Sequence, residues 1–580
     1  MSTFDKSTTP ITENSVSSAI REIYKDTGTS PPPMEWLAEV MAFEFTENYI
    51  NEETRWGTYF GPMWVVPQGD GTVSESPSIK SITPEILKYW EDRARVAQNP
   101  VLKARYADLV WDFSKHVTGK GAHIDNAHIA IDSLIAIATN NAHKYEPNVI
   151  KKLGRALSLA ISINDVGRID AVKGAILQYE DRVVRGDKPS LFGFSYDLLV
   201  KNKKVELSDQ ELNKIISDLE NRLQHASTKS ENSSVNPWAA EAAASRLALY
   251  YRIVSRPGDV RRVLLKYGKA FEQHSESGSP LQVSSWLQQV YHVYLEYGLK
   301  DEAEQLAVKL REIGPKIVKD MKSISHTMEI PIEEMSRYLQ AVTDGDLPTV
   351  LKRVAVHFIP EKQKIEIQLR DLSEKTPLLF LIPKQIQDHK GRTVATVGSL
   401  EDDLDGNIVN QMYQNMSLSA VFLNEVLKNV TDKFKLSPDM LLDYLYTSPV
   451  FREEKKAIIK IGLAAYFAND HLLTAHLLIP QIEDAIRNLV EMTCGSVLKP
   501  SRSGGLQLKT LDELLRDQRI IEVFGEDAAL YLRVLLTDQR GWNVRNDVCH
   551  GIFPMESFDM TLSDLIIHVL LVLGLVRKKN

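Results

Sequence analysis

From Ser81 to Gly314, apolar residues recur at the spacing of one helix face and are interrupted by short turns carrying Gly, Asn or Asp. That pattern constrains the fold strongly. A helix with one apolar stripe must cover it, and when the turns are short the nearest cover is the next helix in the chain. In Trp286–Tyr294, positions 286, 287, 290, 293 and 294 form one apolar face, Gly298 breaks the helix, and Glu302–Ile313 resumes it. The same plan recurs at Ala156–Tyr179 around Gly167 and at Trp238–Tyr267 around Gly258. The three turns are unequally spaced, so the expected fold is mainly α, an irregular and at most repeat-like array of helical hairpins. Its broad surface is a candidate site for a protein partner. Polar stretches at Asn202–Asp209 and Ser227–Asn236 read as exposed connectors.

At 580 residues the chain exceeds what a single core usually supports, so at least two folding units are expected. The net charge of -8 gives no global basic field, so an RNA partner would have to meet a local patch. Only Cys494 and Cys549 are present, which points away from a disulfide framework and towards a reducing, cytoplasmic setting. Met1–Ser15 lacks the apolar stretch of a secretory signal. Leu565–Val576 is almost wholly apolar but too short to span a bilayer, and reads as a buried terminal helix with Thr561 and Asp564 at its start. No membrane partner is expected.

After Ile330-Pro331 the pattern changes. Leu347–Phe358 is one more helix, whereas Lys364–Leu369 and Thr393–Val397 alternate and Asp388–Arg392 holds a Gly turn, so a small β element is expected in the middle of the chain. Helices resume from Asn410. The expected division is a partly flexible N-terminal segment over 1–80, the hairpin domain over 81–330, a linking region over 331–470 and a C-terminal helical bundle over 471–580.

The chemistry lies in that last stretch. Pro480 suits a first helical turn, and Ile482, Ile486, Leu489 and Val490 form a buried stripe, which leaves Glu483 and Arg487 beside it as an i, i+4 pair. Ser501–Gly505 is a polar connector, Thr510 with Glu513 makes a capping box, and a further helix is expected from about Asp527 to Arg540. Then come Asn543-Val544-Arg545-Asn546-Asp547-Val548-Cys549-His550-Gly551, a short helix with Asn543 as its cap and Gly551 as its end. Residues five apart on a helix lie about 140° apart, so Arg545 and His550 converge only through a helix end, a long Arg side chain or a second subunit. Together they suit RNA cleavage without a metal or other cofactor. Arginine holds phosphate oxygens with a charged planar fork, and histidine exchanges protons with the 2′-hydroxyl or the departing 5′-oxygen. The product would be a 2′,3′-cyclic phosphate.

The segment resembles the HEPN (higher eukaryote and prokaryote nucleotide-binding) family, whose ribonuclease members carry Arg, a polar residue, and His after four to six residues. Arg545, Asn546 and His550 match that motif. More narrowly, Asn543–Gly551, the helix Ile482–Val490 and the Thr510-Leu511 helix start are similar to the C-terminal domain of the ER-membrane-associated RNA degradation protein family and its bacterial relatives. Leu102–Trp111 resembles that family's N-terminal helical region. Cys549 stands where a small residue commonly precedes the His. The resemblance implies a HEPN-like helical bundle at the C-terminus, a homodimer formed through it, and one composite cleft built from two Arg-His pairs.

The function expected on this reading is a metal-independent endoribonuclease in a toxin-like or antiviral role. Arg545 holds the phosphate, His550 is the general acid/base, Asn546 orients them, and Glu483, from its helix position, is the candidate to hold Arg545. The alternatives are a catalytically silent helical scaffold and an RNA-binding protein without cleavage. His471 and His476 complete no metal spacing and read as ordinary core or surface histidines. Cys549 reads as a small buried hydrophobe, and Glu401–Asn407 as a solvated turn and not a calcium loop. No phosphate loop of the ATP-binding kind occurs.

Overall fold

Oxygen-bearing side chains followed by proline mark the start of one helix after another. Thr83, Asn99, Asn236, Ser279 and Ser437 each accept a hydrogen bond from a backbone N–H in the first turn of the helix they cap, and Pro84, Pro100, Pro237, Pro280 and Pro438 follow them. Proline costs nothing there, because the N–H it lacks would have no partner inside the helix. The computed structural model describes residues 2–7, 9–27, 33–49, 56–67, 72–184, 188, 191–228, 236–322, 331–502 and 504–578. The chain is 71% helical and, among the described residues, its sheets are all two-stranded, so the class is mainly α with small β elements. Most of the connector expected at Ser227–Asn236 lies outside the described residues. Among those described, no helix is long and apolar enough to cross a membrane.

The chain forms two compact units, Met1–Leu306 and Ala307–Asn580. In the first, the helices Pro84–Val96, Pro100–Thr118, Ile124–Thr139, Glu146–Ser162 and Val166–Val183 pack each against the next. Asp209–Ala226, Pro237–Ile253, Pro257–His274 and Pro280–Glu296 do the same. This is the hairpin array read from the periodicity, with one correction to its turns. Gly298 does take the left-handed conformation, at φ 77°, but the other two turns use Asn164 (φ 53°) and Ser255 (φ 57°). Gly167 and Gly258 lie inside the first turns of the following helices. Asparagine tolerates positive φ better than most residues, so a glycine near a turn need not be the residue that makes it.

In the second unit one apolar core takes in side chains from Val342 to Leu573. At its centre lies the terminal helix Met560–Leu573, buried continuously from Leu562 to Leu573 and packed against Leu347–His357, Leu404–Phe434, Pro438–Leu445 and His471–Met492. A helix apolar on all sides is stable in water only when surrounded in this way. Asp559, not Thr561, caps it through Leu562 N–H, and Asp564 is buried.

The structure corrects further expectations in this unit. Lys364–Leu369 belongs to the helix Lys362–Lys375, whose Ile365 and Leu369 face the core four residues apart; over six residues that spacing also reads as alternation. The strand Thr393–Val397 pairs instead with Lys384–Gln387 across the expected Asp388–Arg392 turn. Pro480 lies inside the helix His471–Met492, and the helix Gln518–Leu536 begins earlier than expected and contains a non-helical Gly525. Finally, the segments that flank the expected polar connector, Leu498–Pro500 and Leu506–Leu508, pair as an antiparallel hairpin.

Candidate functional site

Two helices supply the candidate site. Glu483 and Arg487 lie one turn apart on His471–Met492, and Arg545 and Asn546 lie on the short helix Val544–Cys549 packed against it. Glu483 Oε2 accepts from Arg545 Nε at 2.8 Å, and its Oε1 accepts from Arg487 Nη2 at 2.7 Å. The pair expected beside the stripe is therefore no surface pair, with Glu483 and Arg487 side chains only 14% and 15% exposed. One carboxylate faces two guanidinium groups, which leaves a net positive charge in a half-buried setting where screening is weak.

The hydrogen bonds continue along the short helix. Arg545 Nη1 donates to Asn546 Oδ1 at 3.0 Å. Asn546 Nδ2 donates to Asn543 Oδ1 at 2.7 Å and to the Thr537 carbonyl at 3.3 Å. Asn543 Nδ2 donates to Asp547 Oδ1 at 2.8 Å. These contacts fix the orientation of the Asn546 amide, since its reversal would set NH₂ against guanidinium. They also correct the role expected of Asn543. It adopts φ 49° and makes no side-chain cap; its amide serves the side-chain chain instead. Among the described residues, Arg545 Nη2 forms no hydrogen bond, and Arg487 Nε is buried without one.

His550 closes the helix and is exposed, with Gly551 at φ 64° turning the chain away. The structure brings Arg545, Asn546 and Glu483 into one bonded group and leaves His550 outside it. Asp547 links the two ends. Burial raises its carboxyl pKa against the hydrogen bond from Asn543, while His389 and His550 lie close enough to favour its charged form and Asp388 opposes it. Asp388 and His389 sit at the tip of the hairpin, where Asp388 accepts the backbone N–H groups of Lys390 and Arg392. Reading the sequence assigned Asp547 and His389 no role at the site and offered Arg487 only as the i, i+4 partner of Glu483. Asp547 lay inside the motif, but no spacing rule places a hairpin tip from far upstream beside it.

Cys549 is exposed, not the buried hydrophobe expected, because it occupies the solvent side of a helix only six residues long. Partial burial nevertheless raises its thiol pKa, with Arg545 pulling the other way, which disfavours a thiolate nucleophile. His471 Nδ1 meets Ser563 Oγ at 3.0 Å, and His476 stacks on Phe558. The solvated turn expected over Glu401–Asn407 is in its second half a helix start: Asp403 caps the helix Leu404–Phe434, Gly406 and Asn407 are buried in its first turn, and Asp405 pairs with Arg533 and Arg540. Among the described residues, no group of three or more His, Cys, Asp or Glu is placed to hold a metal ion.

The first unit carries a buried ionic cluster of its own. Lys152 Nζ lies 2.6 Å from Glu13 and 2.8 Å from Glu47, Arg105 pairs with Glu47 at 2.9 Å, and His143 meets Glu13 at 3.1 Å. Burial works against the Lys152 charge, but Glu13 and Glu47 hold its ammonium well above its ordinary pKa, so it is no nucleophile. Nearby, Asp112 accepts the backbone N–H groups of Tyr59 and Phe60, and burial pushes its carboxyl up to about 6 against the pull of Arg155.

The molecule is thus a mainly α protein with a carboxylate-anchored arginine cluster in its second unit and a buried ion network in its first. A family model described as a domain of unknown function (DUF7380) matches residues 38–172, the part of the first unit that holds most of that network. No curated protein and no solved structure matches the chain.

Proposed function

We propose that the second unit is a metal-independent endoribonuclease of the HEPN type, as the resemblance of Arg545-Asn546 to His550-Gly551 implies. The observation that supports this best is the state of Arg545. Its Nε and Nη1 are anchored by Glu483 and Asn546, while Nη2 is open beside a net positive charge. A guanidinium held in this way meets a phosphate oxygen with little further loss of side-chain freedom. His550, exposed at the end of the same helix, exchanges protons. As neutral imidazole it takes the 2′-hydroxyl proton while the 2′-oxygen bonds to phosphorus; as imidazolium it protonates the 5′-oxygen when the P–O5′ bond breaks. In a homodimer joined through the C-terminal parts, a second copy supplies the complementary group. RNA is the substrate and the cytoplasm the setting. The helical first unit recruits a protein partner or restrains the nuclease, in a toxin-like or antiviral role.

A silent scaffold is the second reading, favoured by the same Glu483–Arg545 pair, since an ion pair of this kind also ties two helices together. Incubating purified protein with RNA in EDTA separates the two. The nuclease releases fragments with cyclic-phosphate ends, and the scaffold leaves RNA intact; RNA retention without cleavage would identify a binding protein.

A further inference from the structure

A second site lies in the same unit and uses none of the residues discussed so far as a functional group. Helix Leu404–Phe434, the end of helix Lys456–Phe467 and the first turns of Met560–Leu573 line a half-open cavity of about 550 Å³. Val421, Phe467 and Met560 give it apolar walls, and Asn424, Tyr466 and Asp564 line its polar side. This size suits a small organic molecule.

Asp564 is only 1% exposed. Its Oδ2 accepts from Asn424 Nδ2 at 2.7 Å and its Oδ1 from the Tyr466 hydroxyl at 2.8 Å. Both donors are neutral. Burial drives the Tyr466 phenol far above its ordinary pKa, so it remains a donor. Among the described residues, no cation pairs with Asp564, and His471, whose charge would act on it, is turned to Ser563. A carboxylate accepts about four hydrogen bonds, so each oxygen keeps a free lone pair. A purely structural Asp joining three helices would be backed by packed side chains. Here it borders a cavity, and with only two neutral donors and the nearby His471 set against desolvation, burial raises its carboxyl pKa, so a cation in the cavity would favour its charged form. At the exposed rim, Lys428 and Asp432 lie one turn apart and cancel, so the site as a whole favours a single positive charge.

We propose that this cavity binds a small monovalent organic cation, a primary ammonium or amidinium group on an apolar or aromatic body, with Asp564 as its counter-ion and Phe467 and Val421 beside the body. The proposal does not depend on the nuclease reading.

Calorimetric titration of the full-length protein with benzamidine and phenethylamine tests it, with benzamide as the uncharged counterpart of benzamidine. Saturable binding of both cations is expected, with benzamide at least tenfold weaker. Asp564→Asn should weaken the cations by tenfold or more. Should that buried substitution prevent folding, Val421→Trp decides, because Val421 is 61% exposed and the larger side chain closes the mouth without touching the core. Loss of cation binding in V421W supports the site. Equal affinity for benzamide and benzamidine, undiminished binding in V421W, or no saturable binding by the wild type overturns it.

Discussion

Lowering the pH from 7 to 4 should loosen the second unit at its centre, through His568. This residue is fully buried in the terminal helix. Its Nδ1 accepts from the Tyr531 hydroxyl at 2.6 Å, and its Nε2–H donates to the Val354 carbonyl at 3.2 Å. A phenol keeps its proton near neutrality, and a carbonyl can only accept, so the two partners specify the neutral tautomer. Burial pushes the imidazole down to about 4, against the pull of the Val354 and Ala355 carbonyls. In the unfolded chain a histidine titrates near 6.5. Between those values the unfolded state binds the extra proton, so this contribution is complete above about pH 6.5 and is lost as pH falls through about 4. At roughly 1.4 kcal/mol per pH unit the loss reaches about 3 kcal/mol, or about two orders of magnitude in local opening. Amide hydrogen exchange of the 560–573 segment, corrected for intrinsic rates, reads it directly. His568→Leu should start less protected at pH 7, by about 1–3 kcal/mol for the stranded Tyr531 and Val354 groups, yet lose much less between pH 7 and 4. Equal losses in wild type and variant would refute the reasoning.

Three further outcomes follow from the two ion networks and the motif. Lys152→Met leaves Glu13 with only His143 and Glu47 with only Arg105 and should cost about 3–5 kcal/mol in chemical denaturation, part of it recovered at lower pH as those buried carboxylates take up protons. Glu483→Ala leaves Arg487 and Arg545 without their shared partner; partial exposure limits the stability cost to about 1–3 kcal/mol, while cleavage should fall about 10- to 100-fold through misplacement of Arg545, with Glu483→Gln between the two. His550→Ala, at an exposed position, should change stability by no more than about 0.5 kcal/mol while cleavage drops by about 10²- to 10⁴-fold, a split that thermal unfolding and RNA assays on one preparation reveal.

Much of the helical plan was legible because it is local. The stripe Ile482–Val490, the Thr510–Glu513 capping box and Leu565–Leu573, apolar but for His568, each express a rule that acts within a few residues. Errors arose where two local signals coincide. Ile365 and Leu369 satisfy alternation as well as helical spacing, and Pro480 reads as a helix start although the chain simply continues through it. At the candidate site, Glu483 could be singled out from its helix face, and the structure sets it against Arg545. The link from Asn546 through Asn543 to Asp547 could not be read, because it depends on a left-handed Asn543 that spacing does not announce. Nor could the hairpin tip at Asp388 and His389, which reaches Asp547 only through the tertiary fold.

The most direct test of the nuclease account is end-group analysis of RNA incubated in EDTA with wild type, Arg545→Ala and His550→Ala proteins. The expected result is 2′,3′-cyclic phosphate ends from the wild type, at least about a hundredfold fewer from each variant, and no cleavage of DNA. Intact RNA with a folded, dimeric wild type, or cleavage undiminished in either variant, would contradict it.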